Sequence, residues 1–156
     1  MKKKDNMLYE AFYKPRTAQY DMTPAKGAIV DFTMPSPSGR MYSKEAMEKA
    51  IKEYNEMTNP KFGEFIDEVT HPKPYLDLTN VSHRINEVHI EGDKVVADID
   101  ILDTEKGRMV KKLLKLNQSL YLNPIFSVDE NNSDVKLLYT IISQYPSINE
   151  TCRLEK

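Results

Sequence analysis

The chain has 156 residues, of which 40% are hydrophobic and 29% charged, with a net charge of -2. That length and balance support a single domain with a true apolar core. The near-neutral charge excludes any global electrostatic pull toward nucleic acid or anionic lipid, so neither is expected as a partner.

Taken in chain order, Lys2-Lys3-Lys4 is followed by no apolar core of secretory length, so no signal peptide is expected. Residues 1–26 are polar, contain Pro15 and Pro24, and read as an extended N-terminal arm that orders by docking. The rest, 27–156, reads as one domain. Gly27–Thr33 has strand character, and Met34–Gly39, with two prolines, reads as a turn. Ser43 supplies an N-cap for a helix with Glu45 in its first turn. Ala46, Met47, Ala50, Ile51 and Tyr54 share one face of it, while Lys44, Glu48, Lys49 and Lys52 point away.

Lys61 to Asn80 reads as loop, with Pro72 and Pro74 around His71. Arg84–Glu91 and Lys94–Leu102 then form a hairpin turning at Gly92-Asp93. Val95, Ala97, Ile99 and Ile101 lie on one face of its second strand, and Asp98 and Asp100 on the other, solvent-facing side. Thr104 opens a second helix, with Glu105 in its first turn and Met109, Val110, Leu113 and Leu114 as the expected buried stripe. Two more strands, Leu120–Val128 and Val135–Ser143, flank the polar turn Asp129–Asp134. No run approaches the roughly 20 apolar residues of a membrane helix, and the single cysteine, Cys152, excludes an internal disulfide and suits a reducing cytoplasm. Strands and two helices interleaved with hairpins describe a mostly antiparallel α+β domain whose sheet could curl into a partly closed barrel.

Several segments, in order, resemble the prohead (head-maturation) serine proteases of tailed bacteriophages, especially the T-even type. They are Ser38-Gly-Arg-Met-Tyr42 leading into the first helix, Gly63-Glu64 with His71-Pro72, Val81-Ser-His-Arg-Ile85, Glu91-Gly-Asp-Lys-Val95, and Ile101-Leu-Asp-Thr-Glu-Lys-Gly107. The resemblance spans about 38–128 and implies a fold similar to the herpesvirus assembly protease, a mostly antiparallel β-barrel flanked by helices. It further implies a serine endopeptidase in which the histidine of the His-Pro step is the base. The nucleophile would sit in a Gly-x-Ser-Ser-Arg-Gly stretch, and an acid before a Pro-Ser step would orient the base. A serine hydroxyl attacks an amide carbon only when a neighbouring base takes its proton.

His71 matches the base position, but the rest of the implied set is missing. Asn123 stands at the serine, Ile125 at the arginine and Phe126 at the glycine, while Ile141, or Ser143 in a shifted register, replaces the acid before Pro146-Ser147. Loss of a serine nucleophile costs on the order of a millionfold in turnover. This pattern reads as a pseudo-protease: a structural capsid or virion component that binds major capsid, portal or scaffold proteins, in multiple copies. It would reside in the prohead or virion and assemble in the host cytoplasm.

Two rival readings stay open, an active head-maturation protease that cleaves scaffold and capsid proteins, and an unrelated α+β interaction module. His83 is a candidate second histidine, with a hydrogen-bonding role at a strand edge as the alternative. His89 reads as a surface residue. The histidines lack zincin spacing, so neither metal nor other cofactor is expected. Ser119 and Ser127 are candidate substitute nucleophiles, although neither lies in a glycine-flanked turn. Chain cleavage by Asn123 cyclising before Pro124 is a further, weaker idea than a proline that simply edges a strand.

Overall fold

Six extended segments come together as one sheet, described in a computed structural model. The structure describes residues 22–35, 39–66, 73–129, 134–145 and 153–155. The strands are β1 (Thr23–Asp31), β2 (Phe62–Phe65), β3 (Val81–Glu91), β4 (Lys94–Ile101), β5 (Tyr121–Asp129) and β6 (Asp134–Ser143). The helices are α1 (Lys44–Glu56) and α2 (Glu105–Lys115). Strand order is β1-β4-β3-β2-β6-β5. Neighbours are antiparallel except for β2 with β6, which run parallel. The fold is therefore α+β, as the sequence led one to expect, with a curled, mostly antiparallel sheet and two helices.

The two outer strands are tied together by a short C-terminal segment. Lys26 and Glu155 exchange backbone hydrogen bonds of 2.7 Å in both directions, and Leu154 N–H donates to Leu120 O at 2.7 Å. Leu154 itself is buried in the main core. Residues 153–155 thus bridge β1 to β5 and satisfy backbone groups that the outer edges of the sheet would otherwise leave open.

Period-two alternation selects the core face of each strand. Ile29, Phe65, Ile85, Val88, Val95, Ala97, Ile99, Ile101, Leu120, Leu122 and Ile142 meet Met47, Ala50 and Tyr54 of α1 and Val110 of α2 in one apolar cluster. Ser43 caps α1 by accepting from Ala46 N–H at 3.1 Å. Thr104 caps α2, accepting from Gly107 N–H at 2.9 Å while its own hydroxyl donates to Val81 O. Both caps stand where the sequence places them.

Four local expectations need correction. The segment after Lys61 is not wholly loop, because Phe62–Phe65 forms β2 and Leu78–Asn80 a 3-10 turn. β1 starts at Thr23 rather than Gly27, pairing Thr23–Lys26 with Asp98–Ile101. β3 starts at Val81, three residues earlier than read, because β2 gives it a partner there. On α2, Met109 is 42% exposed instead of buried. The close approach is made by Gly107, where a Cβ would collide with the Leu102 carbonyl oxygen, so the helix turns that face toward the sheet. Residues 1–21 of the expected arm, Ser36–Ser38, His71-Pro72, residues 130–133 of the last turn, Pro146-Ser147 and Cys152 lie outside the described residues.

Candidate functional site

Asn123 lies on the outer face of the sheet, opposite the main core. On β5, Leu120 and Leu122 belong to that core, while Ile125 belongs to a smaller cluster with Tyr139 and Ile141 of β6. Asn123 shares the outer parity of Ile125 and pairs with Ile141, which in turn pairs with Glu64 of β2. Asn123, Ile141 and Glu64 therefore form one row across three strands, with the two polar ends about 9–10 Å apart by strand spacing. Ile66, Leu76 and Leu138 pack against the same small cluster.

The polar groups of this face are committed to hydrogen bonds. The Asn123 carboxamide, 5% exposed, donates from Nδ2 to Ser143 Oγ at 3.2 Å and to Tyr145 O at 3.0 Å. Ser143 Oγ donates to Tyr145 O at 2.8 Å and accepts from Tyr145 N–H at 3.0 Å. Glu64, also buried, accepts from Asp77 N–H at 2.7 Å. Tyr139 donates its phenol to Lys73 O at 2.8 Å, and burial, with the Glu64 carboxylate nearby, raises its pKa above the ordinary tyrosine value. Segment 73–77 thus lies over this face.

The two other residues aligned with the expected machinery are apolar packing. Ile125 belongs to the small cluster, and the Phe126 ring meets Tyr42 with centroids 5.2 Å apart. Ile141, aligned with the expected acid, sits directly across from Asn123.

His83 lies on the opposite, core-facing side. Its ring is fully buried between Ser82 Oγ at 2.8 Å and Thr140 Oγ1 at 2.6 Å. A Cβ on Gly63 would collide with this ring, so only glycine lets β2 pass over it. Desolvation lowers the His83 pKa to about 3, so the imidazole is neutral and a poor proton acceptor at physiological pH. The sheet itself separates His83 from Asn123. His71 lies outside the described residues.

Ser119 is half-buried and Ser127 exposed. Neither is a partner of the described histidine rings, which bond Ser82, Thr140 and Glu91. Sequence reading overlooked Glu64 as a site residue. Glu64 faces away from the core because it has the opposite parity to Phe65, but a four-residue strand containing Gly63 carries no alternation that would announce it.

Fold and site together define an α+β domain with a curled sheet and a tied-down polar row on its outer face. Among solved structures, the chain is similar to the bacteriophage T4 capsid assembly protease, with a TM-score of 0.45 and 17% sequence identity over 83% of this chain and 94% of that one. No protein-family model and no curated protein matches it. Among the described residues, no helix is long and apolar enough to cross a membrane.

Proposed function

We propose that this chain is a catalytically inactive relative of the prohead proteases that serves as a structural component of a phage head, binding capsid, portal or scaffold subunits instead of cutting them. It would act in the prohead or virion, having assembled in the host cytoplasm. One observation carries the reading: at the position aligned with the nucleophile, Asn123 is a buried carboxamide held by Ser143 and Tyr145. A carboxamide nitrogen is not an acyl-transfer nucleophile. The adjacent Ser143 hydroxyl offers no substitute, since it has no accessible surface and already donates to Tyr145 O. Thr140 does contact an imidazole, yet it too is fully buried, beside a ring whose basicity burial has suppressed.

A surface suited to partners borders this face. Tyr75, Leu78 and Tyr145 are 61%, 76% and 63% exposed, on the segments that flank Glu64 and Asn123. Exposed aromatic and aliphatic side chains grouped around a polar row favour protein contacts. Mass spectrometry of purified heads tests the reading. Intact chain in a fixed copy number, released by Tyr145→Glu, is the expected result. Heads that lack the chain, or that contain it only as self-cleaved fragments, would count against it.

A further inference from the structure

Toward the C-terminal end of β3, distant along the strand from the Glu64–Asn123 row, three possible ligand atoms converge. His89 Nδ1 lies 3.3 Å from Glu87 Oε1 and 3.4 Å from Asp98 Oδ2. The other ring nitrogen, Nε2, lies 2.5 Å from Glu91 Oε2. An ionised carboxylate only accepts, so Nε2 carries a proton and donates to Glu91. Nδ1 has no accessible surface and no hydrogen-bond partner among the described residues. Two carboxylate oxygens facing this nitrogen call for a positive charge among the three atoms, which a metal ion or a second ring proton can supply.

We propose that Glu87, His89 and Asp98 bind a divalent first-row metal ion, with Glu91 as the group that orients the imidazole. Zinc bonds to nitrogen and oxygen ligands of about 2.0–2.1 Å place tetrahedral ligand atoms about 3.3–3.4 Å apart, which matches both His89 separations. The donor set of one imidazole and two carboxylates suits zinc and its neighbours and balances a double positive charge. Three protein ligands leave a fourth position for water. The histidine–carboxylate contact at Nε2 is the arrangement by which metal-bound histidines are held and their basicity raised. Lys26 Nζ, 3.9 Å from Glu91 Oε1, engages the other oxygen of that carboxylate.

The site exists because of a bulge. The register between β3 and β4 shifts between Ile85 and Glu87, so the parity of the strand reverses there. Val88 and Ile90 then face the core, while Glu87 and His89 turn outward onto Asp98 of β4. An unbroken strand would send Glu87 inward with Ile85. The ligands come from two strands and depend on that reversal, which is why no linear histidine spacing announces them.

Isothermal titration of the chelator-stripped full chain with Zn²⁺ at pH 7.5 tests the proposal. Saturable one-to-one binding is expected, weakened at least about tenfold by Glu87→Gln and by His89→Ala, and about 10–100-fold by Glu91→Gln through loss of ring orientation. Asp100→Asn, on the same face but outside the trio, should bind as the unaltered chain does. ¹⁵N chemical shifts of the imidazole should show Zn²⁺ at Nδ1. Absence of saturable binding overturns the proposal, as does equal affinity in His89→Ala. A doubly protonated His89 ring whose shifts Zn²⁺ leaves unchanged overturns it too, by assigning the positive charge to a proton.

Discussion

At His83, a single ring is held at both nitrogens by hydroxyls and sealed from water. Its pKa falls from 6.5 in an exposed chain to about 3 in the fold, because burial penalises the imidazolium. Above pH 6.5 the ring is neutral in both folded and unfolded chains, and stability is unaffected. Below that value the unfolded state takes up a proton that the folded state refuses, so stability falls as pH drops, until about pH 3. The slope is about 1.4 kcal/mol per pH unit, or about 2 kcal/mol lost between pH 7 and pH 5. Urea denaturation at the two pH values should show that loss. In His83→Gln, less stable at neutral pH, the same interval should show a markedly smaller one. A pH dependence identical in both chains would mean that the ring titrates normally.

Among the elements, α1 contributes a side chain that acts as a piece of strand. Asn55 donates from Nδ2 to Val88 O at 2.8 Å and accepts from Val88 N–H at 3.2 Å. Val88 pairs with β4 on one side only, because β2 ends its pairing with β3 at Arg84. The carboxamide thus satisfies an edge that β2 is too short to reach. Asn55→Ala should cost about 1–2 kcal/mol, read as a lower urea midpoint, with faster hydrogen exchange at the Val88 amide. Unchanged exchange there would remove the strand-mimic role. The helices were legible in the sequence because their information is local: Ser43 and Thr104 cap them, and the stripe through Met47, Ala50 and Tyr54 recurs at helical period. β2 was not, since four residues containing Gly63 carry little strand signal until β3 and β6 receive them on either side. The early starts of β1 and β3 have the same origin: partners across the ladder decide where a strand begins.

For the whole molecule, closure of the sheet and the candidate sites rest on contacts between residues distant in sequence. The 153–155 segment joins β1 to β5, and nothing in its composition announces that role. Asn123 stood out in the sequence because a resemblance made its position conspicuous. Its hydrogen-bond partners, Ser143 and Tyr145, and the row it forms with Glu64 emerge only when β5, β6 and β2 lie side by side. The same holds for Glu87, His89 and Asp98, which a bulge brings together. The proposed function has a tied-down carboxamide, Asn123, where a prohead protease would need an attacking hydroxyl. It is tested most directly by treating the full chain with a fluorophosphonate probe while following digestion of scaffold peptides. No labelling and no cleavage are expected. Labelling that disappears in Ser119→Ala, Ser127→Ala or Ser143→Ala, together with cleaved peptide, would contradict it.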